Sequence, residues 1–253
     1  MYSVILLGTG NLAQHLFDAF ISAPNVKIEQ VYGRNAEKLK RFQPQVATCS
    51  IPSEIKDADV YIIAVKDDAI VQVAEHLSSK KGIVVHTSGA KEMDCIPIPN
   101  RGVFYPLQTF TEGKPLDFKD IPVCLEVKQD SSLQLLQALA QEVSGRVYQI
   151  DSEQRKKLHL AAVFVNNFTN HLYHIGEDIC QKEGLSFSLL QPLIQETAKK
   201  ILEISPIEAQ TGPARRGDDQ SIKSHLSLLK NQKHVELYTL FSEAIKKVYE
   251  EKL

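Results

Sequence analysis

The chain has 253 residues, of which 43% are apolar, and carries a formal charge of −2 at neutral pH. That length suits one large or two medium domains, and the near-neutral charge gives no electrostatic basis for binding nucleic acid or an anionic membrane surface. No apolar run is long enough to cross a bilayer, and the N-terminus lacks the basic and apolar regions of a signal peptide.

The four cysteines are too far apart in the sequence to form a metal-ligand pair. They are Cys49, Cys95, Cys124 and Cys180. We therefore expect no metal site, and we expect buried free thiols in a reducing, cytoplasmic environment.

The first part of the chain alternates short apolar runs with helical patterns. The apolar runs predict strands over residues 4–7, 26–32, 60–65, 82–86, 103–105, 121–127 and 146–150. Helical spacing of apolar residues predicts helices over 12–21, 36–42, 69–77 and 131–143. Strands that alternate with helices in this way indicate an α/β domain with a Rossmann-type, mostly parallel sheet.

Strand patterns end at Asp151, and only helical patterns follow. These predict helices over residues 152–182, 188–204, 219–229 and 234–250, with a loop at 205–217. The sequence therefore predicts a nucleotide-binding domain over 1–151 and a smaller all-α domain over 152–253 for substrate binding and dimerisation. Because such an elongated helical domain forms a weak core alone, we expect a homodimer that shares these helices.

The first predicted strand leads into a G-x-G-x-x-A turn. Its residues are Gly8, Thr9, Gly10, Asn11, Leu12 and Ala13. Gly8 permits the tight turn, Gly10 lets the backbone approach a pyrophosphate, and Ala13 allows close packing of helix on strand. The start of the following helix offers N–H groups and partial positive charge to phosphates. The strand–turn–helix context predicts a dinucleotide site. The alternative is an ordinary pair of glycines in a turn between a strand and a helix.

The end of the second strand indicates which dinucleotide binds. NAD-binding proteins place a carboxylate there, whereas this chain has Gly33, Arg34 and Asn35. The guanidinium of Arg34 suits the 2′-phosphate of NADP, and Asn35 adds a donor. The alternative is that Arg34 is a solvated loop residue. We expect NADP as the cofactor.

At this point the sequence resembles the Rossmann-like NADP oxidoreductases that carry an all-helical C-terminal domain of unknown function. The wider superfamily includes pyrroline-5-carboxylate reductase, 6-phosphogluconate dehydrogenase and deazaflavin-dependent NADP reductases. The resemblance spans nearly the whole chain and rests on residues 8–13, 33–35, 106–110 and 159–170, and on Thr211, Gly212, Pro213, Arg216 and Asp218. It implies an oxidoreductase that uses NADP. The resemblance does not indicate the substrate. It also leaves open whether a deazaflavin takes part.

One position departs from the family pattern. Relatives tend to have His before the Pro-Leu-Gln-Thr-Phe segment, and this chain has Tyr105 there. A proton-transfer role for that His does not carry over.

Three segments follow predicted strands, at the sheet edge where ligands of such folds bind. Val65 and Lys66 follow the third strand, where the wider superfamily holds the ribose of the cofactor, although a plain charged turn explains them equally well. Candidate substrate contacts lie in the other two segments and are His86, Ser88, Gly89, Gln108 and Thr109. The alternative for His86 is a turn with an internally bonded histidine.

The long helix after Asp151 carries a polar stripe. His159, Asn166 and Asn170 are separated by seven and four residues, so they share one face of a regular helix, and Asn167 lies one step round. We expect His159 to donate a proton and Asn166 to orient a carbonyl or imine. The alternative is a ladder of hydrogen bonds between helices or a dimer contact.

The loop before the last two helices holds the remaining candidate. Arg216 can bind a carboxylate or phosphate, and Asp218 or Asp219 is expected to cap the next helix. The predicted catalytic group is thus His159, Asn166, Asn170 and Arg216.

Together these features predict an oxidoreductase that transfers a hydride between NADP(H) and a small carbonyl or imine compound. The alternative is a regulator that binds NADP without turnover. Tyr105 would suit it, and so would the lack of a lysine in the middle of the polar stripe, where related dehydrogenases present one to the substrate. A module that only binds other proteins would have no use for Gly8 and Gly10 beside Arg34.

Overall fold

The computed structural model describes residues 1–250 of the chain, which form two compact units. The first unit covers residues 1–167 and the second begins at Phe168. The sequence predicts the boundary at Asp151, which caps the helix that starts at Ser152. The first turns of this helix belong to the first unit because Arg155 is fully buried there and forms an ion pair with Glu126 of the sheet.

The first unit contains one eight-stranded sheet, as expected for a Rossmann-type fold. In chain order its strands are β1 (Tyr2–Leu7), β2 (Val26–Tyr32), β3 (Thr48–Cys49), β4 (Val60–Ile63), β5 (Ile83–His86), β6 (Arg101–Pro106), β7 (Val123–Val127) and β8 (Val147–Gln149). The order across the sheet is β3-β2-β1-β4-β5-β6-β7-β8. All neighbouring pairs are parallel except β6 and β7. The mostly parallel sheet of the prediction is confirmed.

Helices connect the strands and then continue alone. They are α1 (Asn11–Ile21), α2 (Ala36–Leu39), α3 (Ile70–Glu75), α4 (Leu133–Gln141), α5 (Ser152–Ala162), α6 (Thr169–Lys182), α7 (Gln191–Lys200), α8 (Pro206–Ala209), α9 (Pro213–Arg216), α10 (Asp219–Leu228) and α11 (Gln232–Glu250). The all-helical C-terminal region is confirmed. No helix within residues 1–250 is long and apolar enough to span a membrane.

Both faces of the sheet are covered, which is why the central strands are continuously apolar. Alternate residues of β1 enter opposite layers: Leu6 packs into the layer formed by α1 and α4, whereas Leu7 packs into the layer formed by α3. In the first layer Leu16 and Phe20 of α1 are fully buried. The cores on both sides hold the carboxyl ends of the parallel strands in register.

The chain reverses direction between β6 and β7. Pro106 pairs with Val123, and the N–H of Leu107 donates to the carbonyl of Pro122 at 2.8 Å. The intervening residues, 108–121, therefore leave and re-enter the sheet at the edge where β1, β4 and β5 end. We call this segment the edge loop.

Three elements differ from the predictions. The helix predicted over 152–182 contains a π-helical segment, Val163–Phe168, between α5 and α6. The two-residue strand β3 is too short to give a sequence pattern. The predicted loop at 205–217 contains α8 and α9, each of which begins with a proline in its first turn, where the ring fits a helix.

Candidate active site

The turn between β1 and α1 has the geometry of a phosphate-binding site. Gly8 has a φ of +140°, and a Cβ atom there would lie 2.0 Å from the carbonyl oxygen of Ala64, so only glycine fits. Gly10 begins α1 without a side-chain cap, and a Cβ atom there would meet nothing within 4 Å. Gly10 thus faces open space in front of the helix N-terminus, where a diphosphate can approach the backbone.

The end of β2 places a basic group beside this turn. A Cβ atom on Gly33 would lie 2.5 Å from Cγ2 of Thr9, so glycine lets the two turns pack together. Arg34 is exposed and forms no ion pair within residues 1–250. The Oδ1 atom of Asn35 accepts from the N–H of Lys38 at 3.1 Å and caps α2, which leaves its NH₂ group as the donor.

These residues line one groove of about 740 Å³, which we call the cofactor groove. Of the predicted cofactor residues it is lined by Thr9, Gly10, Asn11, Leu12, Arg34, Asn35, Val65 and Lys66. The other three, Gly8, Ala13 and Gly33, lie behind it and set its backbone. The groove also includes Lys38, Ala64, Asp68, Ala69 and Gln72. The last three are polar or small residues that follow β4. They belong to no motif, so the sequence does not predict them. Bare backbone, an uncapped helix and three cations, Arg34, Lys38 and Lys66, suit a phosphorylated dinucleotide.

His86 stabilises the turn after β5 from inside the protein and does not form part of its surface. His86 is fully buried, its Nδ1 accepts from the N–H of Ser88 at 3.1 Å, and its Nε2 lies 3.2 Å from the carbonyl of Glu92. Burial, aided by the charge of Arg155, lowers the pKa of His86 to about 4, so the ring is neutral. The Ser88 hydroxyl accepts from the N–H groups of Ala90 and Lys91. Both side chains are thus used in shaping the turn.

Gly89 lies at the contact between the two aromatic side chains of the site. A Cβ atom on Gly89 would approach Nδ1 of His159 to 2.7 Å and Cζ of Tyr105 to 2.8 Å. The hydroxyl of Tyr105 lies 3.0 Å from that same Nδ1 atom. Tyr105 ends β6 and His159 lies on α5, so the absence of a side chain at residue 89 allows the two elements to meet.

A second groove, of about 340 Å³, opens beside this pair, and we call it the histidine groove. It brings together four of the predicted residues, His159, Asn166, Gln108 and Thr109. Its remaining lining is Tyr105, Leu107, Leu158, Ala161, Ala162, Val163, Val165 and Asn167. The mixture of an apolar wall and a few polar groups is typical of a small-molecule site. The N-terminus of α1 is tied to the same edge, since Nδ2 of Asn11 donates to the carbonyl of Phe110 at 3.2 Å.

A buried charge network fixes α5 against the sheet. The guanidinium of Arg155 is fully buried, forms an ion pair with Glu126 and donates to the carbonyl of Lys91. The hydroxyl of Ser152 donates to Glu126 at 2.9 Å and accepts from Arg155 at 3.0 Å. Because His159 lies one turn after Arg155, this network sets its position. A Ser and an Arg three residues apart in a helix form no recognisable motif, so the sequence does not predict this network.

The π-helical segment changes the predicted stripe. One wide turn within 163–168 inserts an additional residue, so the face of His159 continues to Asn167 rather than Asn166. Both amides are exposed and line the histidine groove. Asn170 and Arg216 lie in the second unit, Asn170 on α6 and Arg216 at the end of α9, and both are exposed. In the same unit Asp218 caps α10 as expected, through the N–H of Ser221 at 3.0 Å.

Two family models match the chain. One, described as NADP oxidoreductase, coenzyme F420-dependent, matches residues 3–89. The other, a domain of unknown function (DUF2520), matches residues 121–245. No curated protein matches the chain.

Solved structures show the same fold over the whole chain. A Bacteroides fragilis protein, provisionally assigned as an NADP oxidoreductase, is 38% identical, with a TM-score of 0.90 and coverage of 97% of this chain and 98% of its own. A Thermotoga maritima protein is 24% identical, with a TM-score of 0.76 and coverage of 98% and 99%. An imine reductase from Myxococcus stipitatus in complex with NADP⁺ is 14% identical, with a TM-score of 0.63 and coverage of 98% and 93%. The last two likenesses concern the fold alone.

Proposed function

Because the chain belongs to the family of NADP oxidoreductases in which a DUF2520 domain follows the nucleotide-binding domain, we propose that it transfers a hydride between NADP(H) and a small carbonyl or imine compound. The observation that carries this proposal is the position of His159. It lines an apolar groove that also holds amide side chains, at the sheet edge where the cofactor turn lies.

Each part of the cofactor groove has a task in this proposal. The backbone at Gly10 and the first N–H groups of α1 bind the diphosphate, and Arg34 with Lys38 binds the 2′-phosphate. The bound cofactor supplies the hydride. Gly8 and Gly33 keep the turns at the distance that binding requires.

The histidine groove supplies the proton. When the hydride adds to carbon, the π electron pair of the C=O or C=N bond moves to the oxygen or nitrogen, and that atom takes the proton from Nε2 of His159. The amides of Asn166 and Asn167 orient the polar group, and the apolar wall excludes water. The catalytic roles of Asn170 and Arg216, which lie in the second unit, stay predictions.

The proposal is tested by hydride transfer from labelled NADPH. The purified chain is mixed with NADPH carrying deuterium at C4 and with a panel of cyclic imines and small 2-oxo acids, and the products are analysed by mass spectrometry. We expect deuterium at the former carbonyl or imine carbon of at least one product. Tight binding of NADPH without transfer to any panel member, or to a deazaflavin, would favour the alternative of a regulator without turnover.

Arg34 allows a direct test of cofactor discrimination. In Arg34→Ala we expect NADPH binding to weaken about 10- to 100-fold, because a charge-assisted hydrogen bond contributes about 1.5–3 kcal/mol, and NADH binding to stay within about twofold. Arg41→Ala is the matched control, since Arg41 forms an ion pair with Asp18 at 2.9 Å and does not line the groove. Isothermal titration calorimetry measures both dinucleotides. An equal loss for NADPH and NADH would contradict this role of Arg34.

We also propose that the second unit is covered by a second copy of the chain. Within residues 168–250 the only buried apolar side chains are Cys180, Ala214 and Ile222, and none of them is fully buried. Large apolar side chains are exposed on its helices, among them Leu172, Ile179, Leu189, Leu193, Leu202, Leu240 and Phe241. Helices with so little core of their own need an apolar partner surface.

Sedimentation measures the oligomeric state. At micromolar concentration we expect about twice the chain mass of 28.3 kDa, and we expect Leu240→Glu to shift the chain towards monomer. Lys247→Glu on the same helix is the control for added negative charge. A wild-type chain that remains monomeric at about 100 µM would contradict the shared interface.

A further inference from the structure

Tyr105 and His159 form a side-chain pair that the oxidoreductase reaction does not by itself require. The Tyr105 hydroxyl lies 3.0 Å from Nδ1 of His159, and the two rings meet edge to face at 6.1 Å between centroids. Tyr105 is 8% exposed, so most of its side chain is buried. Gly89 packs against both rings with no room for a Cβ atom. The backbone at Gly89 therefore holds both rings from one side.

The direction of this hydrogen bond follows from the partners present. Within residues 1–250 the Tyr105 hydroxyl has no other hydrogen-bond partner than Nδ1 of His159. If Nδ1–H donated to the phenol oxygen, the buried phenol proton would have no acceptor, which is unfavourable. Burial also raises the pKa of Tyr105 to about 12, so the phenol keeps its proton. The O–H of Tyr105 therefore donates to Nδ1.

That direction assigns the remaining proton of the neutral imidazole. With Nδ1 accepting, the ring proton is on Nε2. Within the described part of the chain no protein atom accepts a hydrogen bond from Nε2, and His159 lines the histidine groove. The nitrogen that carries the proton is thus the one left for a ligand.

We propose that Tyr105 is a positioning residue that holds His159 in its Nε2–H form and restores at Nδ1 the proton that Nε2 gives to the substrate. This inference rests on the proposed function. The Nε2–H bond breaks as the new O–H or N–H bond of the product forms, and the phenol O–H breaks as Nδ1–H forms. The imidazole stays neutral and the charge comes to rest on the phenolate, which water in the histidine groove, lined in part by Tyr105, reprotonates when the product has left. A phenol is a stronger acid than the alcohol produced, so the direction is favourable.

The tautomer can be read by NMR without cofactor or substrate. Nitrogen-15 spectra of histidine-labelled protein distinguish a protonated from an unprotonated ring nitrogen, and His159→Gln assigns the signals. We expect the Nε2–H form in the wild type. Tyr105→Phe keeps the ring against Gly89 and removes the O–H, so we expect the Nδ1–H form to appear. Tyr61→Phe is the matched control, because Tyr61 is a buried tyrosine on β4 whose hydroxyl bonds to the N–H of Ala58.

Kinetics then test the proton step. In Tyr105→Phe we expect kcat to fall at least about tenfold while KM and NADPH affinity stay within about twofold, since the hydroxyl is bonded to Nδ1 of His159 and Tyr105 does not line the cofactor groove. An Nδ1–H form in the wild-type protein overturns the proposal even if the variant fails to fold. An unchanged tautomer ratio or an unchanged kcat in the variant overturns it as well. If no substrate is ever reduced but the tautomer depends on Tyr105, the proposed function fails and the positioning of His159 by Tyr105 stands.

Discussion

Gly10→Val should weaken NADPH binding more than about a hundredfold and leave the stability of the protein within about 1 kcal/mol. The φ of Gly10 is −78°, which any residue adopts, and its Cβ position meets nothing within 4 Å. The fold therefore tolerates a side chain. The isopropyl group would instead occupy the space in front of the α1 N-terminus, where the diphosphate must approach the backbone. Calorimetric titration gives the affinity, and urea unfolding gives the stability.

Gly8→Ala is the matched comparison, because it adds one methyl group two residues earlier. There the methyl would lie 2.0 Å from the Ala64 carbonyl at a φ of +140°, so we expect loss of stability of several kcal/mol and poor folding. The two substitutions thus distinguish a glycine that cofactor binding requires, Gly10, from a glycine that folding requires, Gly8. Unchanged NADPH affinity in Gly10→Val would remove the turn from the cofactor site.

His159→Gln should lower kcat about 10²- to 10⁴-fold, the usual contribution of a general acid, and leave NADPH affinity within about twofold. Glutamine still offers an N–H donor to the histidine groove, but it cannot pass a proton to the substrate. His159 does not line the cofactor groove, so binding of the dinucleotide should be unaffected. Single-turnover measurements of NADPH oxidation isolate the chemical step from product release.

His174→Gln is the control for this substitution. His174 is an exposed histidine on α6, at 3.9 Å from Glu177, and is not part of either groove. We expect its kcat to equal that of the wild type. If His159→Gln kept more than about a third of the wild-type kcat, another group would have to supply the proton.

The sequence predicts the α/β part well because its signals are local. A strand buried on both faces must be continuously apolar, as β4 is, and β4 lies within the predicted residues 60–65. The signal of the glycine turn is equally local, since all of its motif residues lie between the end of β1 and the first turn of α1. Arg34 comes directly after Gly33 in the chain, so the position at which β2 ends also places Arg34 at the cofactor groove.

The site around His159 depends on contacts that no local pattern carries. Tyr105 is brought to His159 by the sheet, and Arg155 fixes α5 through Glu126 of β7. Nothing near these positions in the chain indicates the contacts. The π-helical segment is a second case, because helical periodicity assumes 3.6 residues per turn and one wide turn shifts every later residue to another face. For that reason the sequence predicts Asn166 to share the face of His159, whereas the structure continues that face to Asn167.

His86 shows how a residue type can mislead. A histidine at the end of a strand in such a sheet is a reasonable substrate contact, and the sequence gives no measure of its burial. In the structure both ring nitrogens are engaged with the backbone, at Ser88 and Glu92. The satisfied histidine that the sequence left as the alternative agrees better with this geometry.

The reversal at β6 and β7 has a consequence for how this scaffold can diversify. The edge loop leaves and returns at one hydrogen-bonded step, Leu107 to Pro122, and is anchored to α1 through Phe110 and Thr111. Its outermost residues, 112–117, are exposed. Lengthening a loop whose ends are already fixed costs only about 0.6 kcal/mol for each doubling. Insertions at 112–117 can therefore lengthen the exposed part of the edge loop while the strands stay untouched, so homologous chains can vary this surface without redesigning the nucleotide-binding framework.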